Sequence, residues 1–181
     1  MEKHVVIRNI SANAEAMVAL GGEISTQPGT TFELFDKRIN MDYEKNVDLI
    51  NKVVKSGHTS ILEHLSFSLL LTNVSICIEE FFIEHRLASF TVKSRRYVDF
   101  GKSGYYVPDD LPSEEFKWCY VDDMRNLFNA YNKLIDLGVP KEDARFVLPY
   151  SFYSNFVCTV NAREAIHIIT DLYKEGYKSL L

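Results

Sequence analysis

The chain has 181 residues and a formal net charge of -5 at pH 7, with 46% hydrophobic and 25% charged residues. These values predict a single soluble globular domain over residues 1–181, long enough to form its own core. A sequence pI near 5.5 argues against general binding of nucleic acid or anionic membrane, because both need a broad positive potential.

Aromatic residues make up 13% of the chain, which is more ring surface than a core of this size requires. We interpret the surplus as surface that packs against a partner subunit or a planar ligand. Cys77, Cys119 and Cys158 have no metal-ligand spacing and fit reduced thiols. The first ten residues lack an apolar signal core and no apolar run could span a bilayer, so we expect a protein of the cytoplasm or of a comparable reducing compartment.

In the first half of the chain, a segment rich in β-branched residues and a continuous apolar run predict strands, and the segments around them have helical periodicity. Gly21-Gly22 is predicted to end the first helix, Gly57 to end the second, and Ser75 to cap the third. The predicted elements are a strand (4–10), a helix (12–20), a loop (25–32), a helix (43–57), a buried strand (65–73) and a helix (75–86).

In the second half, apolar residues recur at every third or fourth position from Pro112, which predicts a long amphipathic helix. Pro140 suits the first turn of another helix over 137–148. A strand over 154–161 and a helix over 162–176 complete the order. The sequence therefore predicts a mixed α/β (α+β) fold.

The segment EHRLASFTVKSRRY (84–97) concentrates positive charge directly after an apolar helix. Its cations are Arg86, Lys93, Arg95 and Arg96. Guanidinium groups and the hydroxyls of Ser89 and Ser94 can donate hydrogen bonds to phosphate oxygens. A basic run is usually a solvated surface loop, but Phe90 and Tyr97 within this one favour a groove that holds an anion.

The segment GHTSILEH (57–64) contains two histidines and Glu63. A zinc helix needs two histidines four residues apart with Glu beside the first, so this spacing does not predict a metal site. We expect a helix start capped by Thr59 or Ser60. His58 would then be exposed at the positive end of the helix, where its imidazole can pack on a planar or anionic ligand.

Two further segments place an arginine in an apolar helical turn and at a strand-to-helix junction. Arg145 lies in an apolar helical turn, and a half-buried arginine needs an anionic partner, either a structural carboxylate or a ligand phosphate. Asn161, Arg163 and His167 lie at a strand-to-helix junction. Asn161 also fits a capping box with Glu164 three residues later, which is a purely structural role.

Taken in order, GHTSILEH, EHRLASFTVKSRRY, ARFVLP and TVNAR resemble the flavin-dependent thymidylate synthases, the ThyX family. The family signature is an R-H-R run, then a serine, then S-x-R-Y. In this chain it appears as Glu84-His85-Arg86, Ser89 and Ser94-Arg95-Arg96-Tyr97. The resemblance runs from about His58 to Arg163 and includes the intervals between the segments.

The resemblance implies a central sheet flanked by helices, and a homotetramer whose active sites are shared between subunits. It implies FAD as cofactor, NADPH as reductant and methylenetetrahydrofolate as one-carbon donor. The reaction would convert dUMP to dTMP by alkylation at C5 and reduction with a flavin hydride. Because the family uses no covalent protein nucleophile, catalysis would depend on positioning and charge stabilisation.

The resemblance also assigns roles by position. The residues expected to contact FAD are His58, Ser60, Glu63, His85, Arg86, Asn161, Arg163 and His167. The residues expected to hold the nucleotide are Ser94, Arg95, Arg96 and Arg145. No metal is expected.

The chain departs from the family pattern at several positions. Glu84 replaces the first Arg of R-H-R, and Thr91-Val92 replaces an Asn-Glu pair. Phe81 lies near the position where the family is expected to have a nucleotide-binding Gln. The family's final helix carries an Arg that promotes ionisation of the pyrimidine N3, whereas IITDLYKEGYKSLL contains none. We therefore expect a shortened chain or a divergent member. The catalytic residue stays unassigned, with Arg145 and Lys174 as candidates.

Three functions follow from these observations. The favoured one is an enzyme that methylates dUMP, or a related uracil nucleotide, at C5. The alternative is a non-catalytic or altered-specificity relative that binds flavin or nucleotide, or one subunit of a mixed assembly. RNA binding through residues 93–97 is disfavoured because the acidic surroundings repel a phosphate backbone.

Overall fold

The computed structural model describes residues 4–177. It confirms a mixed α/β architecture built on a four-stranded sheet. The strands are β1 (His4–Arg8), β2 (Ser66–Ser75), β3 (Ala88–Val92) and β4 (Tyr153–Asn161). The α-helices are α1 (Ala14–Glu23), α2 (Thr31–Ile39), α3 (Tyr43–Lys55), α4 (Ile76–Ile83), α5 (Glu114–Asp136), α6 (Lys141–Ala144) and α7 (Ala162–Lys174). The two 3-10 helices of the described residues are Thr59–His64 and Arg145–Val147.

The sheet is antiparallel with the strand order β1-β2-β4-β3. Ser66 of β2 pairs with Asn161, and Ala88 of β3 pairs with Val160. Because both neighbours run opposite to β4, the starts of β2 and β3 lie beside the end of β4. The segments that lead into β2 and β3 therefore meet the start of α7 at one end of the sheet.

One face of the sheet carries the main core. Alternate residues of β4 point to this face and are buried beneath α4 and α7, as the two-residue period of a strand requires. The buried core residues are Leu71, Val74, Ile78, Phe82, Phe156, Cys158, Val160, Ala165, Ile168 and Leu172. The strand predicted over 65–73 is confirmed, but it is buried only in part: Leu71 is 3% exposed, whereas Leu70 on the opposite face is 38% exposed.

The first helix continues through the two glycines that were predicted to end it. α1 includes Gly21 and Gly22 and ends at Glu23. A Cβ on Gly21 would lie 3.0 Å from Cδ2 of His64, and a Cβ on Gly22 would lie 3.0 Å from Cγ2 of Val53. The glycines therefore let the first 3-10 helix and α3 approach α1 closely. Gly57, by contrast, ends α3 as predicted, with a φ of 93°.

Two elements were not predicted. Helix α2 begins inside the predicted loop, where Thr30 Oγ1 accepts a hydrogen bond from Glu33 N at 3.3 Å and Glu33 Oε2 accepts one from Thr30 N at 2.7 Å. This T-x-x-E capping box is readable from the sequence. Residues 88–92 form the edge strand β3 where a surface loop or groove was expected, and Phe90 packs against the core.

Three predicted helices differ in detail from the prediction. Ser75 precedes α4 as predicted, but its side chain makes no capping hydrogen bond, and the helix ends at Ile83. Pro140 was predicted to lie in the first turn of a helix. In the structure it occupies the N-cap of the short α6, directly before the first helical residue. The long helix α5 is confirmed, but it leaves Phe116 and Trp118 58% and 69% exposed. Within residues 4–177, no helix is both long and apolar enough to cross a membrane.

A buried ion pair joins α1 to α2. Glu23 Oε2 accepts a hydrogen bond from Arg38 Nε at 2.5 Å, and Oε1 accepts one from Lys37 Nζ at 2.5 Å. Asn46 Nδ2 donates to the carbonyl oxygen of Arg38 at 3.0 Å, which also ties α3 to this pair. The hydrogen bond from Arg38 is the main cause that lowers the pKa of Glu23, against the opposing effect of burial.

Acid unfolding tests this ion pair. The folded-state pKa of Glu23 lies below its unfolded value of about 4.3, so the stabilisation is present above that pH and is lost as pH falls through the folded pKa. We expect the free energy of unfolding of the wild type to fall more steeply between about pH 5 and pH 3 than that of Glu23→Gln. Urea unfolding at several pH values measures both slopes, and equal slopes would contradict the assignment.

Candidate functional site

The predicted site residues fall into two groups at opposite ends of the sheet. Residues 58–63, Arg86 and 161–163 lie where β2 and β3 start and β4 ends, which we call the α7 end. Residues 94–96 and Arg145 lie where β3 ends and β4 starts, which we call the α6 end. The strand β3 separates the two ends by roughly 15 Å.

At the α7 end, a salt bridge joins the first 3-10 helix to α7. Arg163 Nη1 donates to Glu63 Oε1 at 2.5 Å, with the two side chains 41% and 48% exposed. The backbone N–H of Ala162 donates to the carbonyl oxygen of Leu65 at 2.9 Å and fixes the same junction. Both charged side chains are therefore held in place and remain accessible to a ligand.

Asn161 takes the structural role that its position allowed. Its Oδ1 accepts a hydrogen bond from Glu164 N at 2.9 Å and caps α7. His167, one turn further along, is exposed, with its Nδ1 3.8 Å from Glu164 Oε2. The first two turns of α7 thus present Arg163 and His167 near the end of β4.

His58 is exposed, as predicted, and occupies the N-cap of the first 3-10 helix. That helix has no side-chain capping hydrogen bond, so the expectation that Thr59 or Ser60 caps it is wrong. Ser60 is exposed beside His58. In the described part of the chain, no group of three or more His, Cys, Asp or Glu side chains is placed to hold a metal ion.

His85 and Arg86 are neighbours in sequence with different surroundings. Arg86 is exposed, and among residues 4–177 it makes no ion pair or side-chain hydrogen bond. His85 is mostly buried, with Nδ1 3.1 Å from the carbonyl oxygen of Phe81 and Nε2 3.6 Å from Asp171 Oδ2. A hydrogen bond from Lys174 Nζ at 3.0 Å is the main cause that lowers the pKa of Asp171, and His85 adds to it.

A cleft of about 540 Å³ lies between α4 and α7 beside His85. Its carboxylates are Glu80, Glu84, Asp171 and Glu175. Glu84, which stands where R-H-R has its first Arg, therefore adds negative charge to this cleft. Carboxylates repel phosphate, so the cleft is a poor site for the phosphate of a nucleotide.

At the α6 end, a tight turn follows β3 and is held by α6. Ser94 Oγ accepts a hydrogen bond from Arg96 N at 3.2 Å. Arg96 Nε donates to Glu142 Oε2 at 2.7 Å, and Lys141 Nζ donates to the carbonyl oxygen of Tyr97 at 3.0 Å. The Arg96 side chain is 61% exposed. Arg96 is therefore oriented by Glu142 and still open to solvent.

Arg95 turns toward the interior instead. Its Nη2 pairs with Oε1 of Glu79, whose side chain is 2% exposed. The Arg95 guanidinium also lies 5.7 Å from the ring centroid of Phe152. The sequence grouped Arg95 with Arg96 as nucleotide ligands, whereas the structure gives Arg95 a carboxylate partner within the protein.

Arg145 opens the second 3-10 helix and is half-buried, as expected. Its guanidinium lies 5.3 Å from the ring centroid of Phe146. No carboxylate of residues 4–177 lies within ion-pair distance of it. The sequence left two possible partners for Arg145, a structural carboxylate or a ligand phosphate. The described residues do not provide the carboxylate.

Sequence reasoning missed Glu79 and Glu142, the partners of Arg95 and Arg96. A signal existed for Glu79, because it stands three residues from both Ile76 and Phe82 on the apolar face of α4. A carboxylate on such a face needs a cation. Glu142 carried no comparable signal, since it lies on a short polar helix 46 residues from Arg96.

A comparison with protein families decides the relationship. The family model described as thymidylate synthase complementing protein (Thy1) matches residues 6–175. The chain belongs to this family. The resemblance that its four segments indicated is thereby confirmed.

Two curated relatives of this Thy1 family member carry the same name. The flavin-dependent thymidylate synthase of Geobacter sulfurreducens is 36% identical over 84% of this chain and 66% of its own length. The Pyrococcus furiosus protein of the same name is 30% identical over 84% of this chain and 61% of its own. The chain thus spans less than two thirds of the length of these relatives.

A solved structure shares the fold of this Thy1 family member. It is a UMP/dUMP methylase, PolB from Streptomyces cacaoi, bound with 5-Br dUMP. The TM-score is 0.76 at 25% sequence identity, covering 93% of this chain and 77% of PolB.

The thiols provide a test of the core that supports both ends. Cys158 lies fully buried in β4, and burial raises the pKa of its thiol to about 11. Cys119 is exposed on α5. At about pH 8 we expect iodoacetamide to modify Cys119 in the folded protein and leave Cys158 unmodified until denaturant is added. Peptide mass spectrometry measures both, and equal native rates would contradict this placement of β4.

Proposed function

We propose that this chain is the subunit of a flavin-dependent thymidylate synthase that methylates C5 of dUMP to give dTMP, or C5 of a related uracil nucleotide to give the corresponding 5-methyl nucleotide. The observation that carries the proposal is the family match over residues 6–175. Two features of the site add support. Exposed cations lie at both ends of the sheet, and the described cysteines include a buried Cys158 whose raised thiol pKa makes it unsuited to nucleophilic attack.

In this proposal, the α7 end binds FAD. The donor set fits a dinucleotide, because Arg86 and Arg163 present accessible guanidinium groups suited to a diphosphate, and His58 presents an imidazole that can stack on a planar ring. The residues that complete this site are Ser60, Glu63, His85, Asn161 and His167. When bound, FAD supplies the hydride, with NADPH as reductant and methylenetetrahydrofolate as one-carbon donor.

The α6 end binds the nucleotide phosphate in the same proposal. Arg96 and Arg145 offer two guanidinium groups, and Ser94 offers a hydroxyl at the turn after β3. The negative charge of the cleft between α4 and α7 favours this placement, because that cleft repels phosphate. Arg95 contributes through its contact with Glu79.

We further propose that a complete site needs more than one subunit, as in a homotetramer. The α7 and α6 ends of one chain lie roughly 15 Å apart along β3, and hydride transfer requires the flavin ring and the pyrimidine to be in contact. Placing the α6 end of one subunit against the α7 end of another satisfies this requirement. The exposed rings of Phe116 and Trp118 and the open face of the sheet provide apolar surface for such contacts.

A second candidate function has one observation in its favour. The cleft beside His85 is acidic, with Glu84 in place of the family's first Arg. A relative with altered specificity, or one that binds flavin without turnover, would fit such a change. Of the two catalytic candidates named from the sequence, Lys174 is the weaker, because Asp171 balances its charge.

Flavin content and C5 exchange distinguish the two candidates. We expect the purified protein to show flavin absorption and, with NADPH and methylenetetrahydrofolate, to release the C5 hydrogen of dUMP as it forms dTMP. Tritium release from 5-³H-dUMP measures the reaction. Flavin absorption without tritium release would favour the second candidate. Protein that neither contains nor takes up FAD would contradict both.

Subunit complementation tests the shared site. Arg163→Ala removes a cation from the α7 end and Arg145→Ala removes one from the α6 end, so each homotetramer is expected to lose most of its activity. Co-expressed in equal amounts, the two variants should recover about a quarter of the wild-type activity, because that fraction of sites combines two intact ends. The matched control pairs Arg163→Ala with Arg86→Ala. Both changes lie at the same end, so recovery in the control would contradict the arrangement.

A further inference from the structure

The contact between Glu79 and Arg95 links the interior of α4 to the turn at the α6 end. Glu79 lies in the first turn of α4, and its carboxylate pairs with Nη2 of Arg95. The backbone N–H of Ile76 donates to the carbonyl oxygen of Phe152 at 3.2 Å, and the Arg95 guanidinium lies over the ring of Phe152. The turn is thus fixed to the start of α4 and to the start of β4 together.

Burying this ion pair contributes little net free energy to the stability of the fold. Glu79 is 2% exposed, and its Oε2 has no hydrogen-bond partner among the described residues. Nε of Arg95 is likewise buried without a partner in that part of the chain. A buried ion pair with unsatisfied atoms offers little stability over an apolar pair of similar volume. Its stronger effect is to specify one orientation of the residues that it joins.

The orientation matters because Arg95 lies between two proposed phosphate ligands. With the Arg95 side chain held inside, the neighbouring Arg96 side chain is left 61% exposed at the surface. Ser94 accepts hydrogen bonds from Arg96 N through Oγ at 3.2 Å and from Val98 N through its carbonyl oxygen at 3.1 Å. An inward anchor on the middle residue therefore determines where Ser94 and Arg96 point.

We propose that Glu79 is a positioning residue for nucleotide binding. Through Arg95 it holds the turn 94–98 in the conformation that directs Ser94 and Arg96 at the phosphate of the uracil nucleotide. This inference rests on the proposed function for the identity of the ligand. Arg95 acts as the anchor of the turn, because Glu79 balances its charge within the protein.

Glu79→Gln tests the inference, since it keeps the shape of the side chain and removes its charge. We expect the KM for dUMP to rise about tenfold or more with kcat changed only a few-fold, because ground-state positioning of the phosphate is weakened. Hydrogen exchange at the amides of Arg96 and Val98 should accelerate in the same variant. A folded Glu79→Gln protein with unchanged exchange and an unchanged KM would overturn the proposal.

The matched control is Glu23→Gln, which breaks another buried Glu–Arg pair that lies between α1 and α2. It should leave the KM for dUMP and the exchange of the turn unchanged at neutral pH. If both variants raise the KM equally, the effect is general destabilisation and the proposal fails. If Glu79→Gln does not fold, the double variant Glu79→Leu with Arg95→Leu replaces the pair with apolar side chains. Wild-type affinity for dUMP in that folded double variant would also overturn the proposal.

The design separates this inference from the proposed function. Calorimetric titration of the wild type with dUMP tests whether the nucleotide binds at all. If it does not bind, the proposed function fails, and hydrogen exchange of residues 94–98 still decides whether Glu79 holds the turn. If dUMP binds and the Glu79→Gln exchange is unchanged, the proposed function stands and the role of Glu79 is rejected.

Discussion

The pairing of β4 with both β2 and β3 is the constraint on which the rest of the structure depends. Since both partners are antiparallel to β4, two segments remote in sequence are brought to each end of that strand. The register is fixed by burial, because a slip of one residue would turn Cys158 and Val160 away from α4 and α7. The same pairing that forms the core therefore separates the two groups of proposed ligands.

Local sequence patterns correctly predicted the elements whose conformation is set by residues within the element itself. β4 and α7 follow from an alternating strand and the cap at Asn161, both encoded within a few residues. β3 was missed because five residues between cations and hydroxyls resemble a loop until β4 pairs with them. The glycines of α1 were misinterpreted because their reason is tertiary. They make room for His64 and Val53, which lie more than thirty residues away by sequence numbering.

The candidate site also contains a part that the sequence could predict and a part that depends on tertiary contacts. The cations and hydroxyls could be predicted from residue type and order, because guanidinium groups and serines suit phosphate whatever surrounds them. Their protein partners could not be predicted, since pairing is decided by the packed chain. Glu63 is 100 residues from Arg163 in sequence and Glu142 is 46 residues from Arg96. The structure therefore distinguishes arginines that face the interior, such as Arg95, from arginines that face solvent, such as Arg96.

The Arg96–Glu142 contact has a consequence for selectivity. Both side chains are partly exposed, at 61% and 44%, and lie 2.7 Å apart. Any anion that reaches Arg96 has to exchange with a carboxylate that is already in place, so a monovalent ion such as chloride gains little by doing so. A dianionic phosphate ester brings more charge than the group it replaces. In the proposed nucleotide site, Glu142 thus acts as a threshold that favours a dianionic phosphate ester over simple monovalent salts.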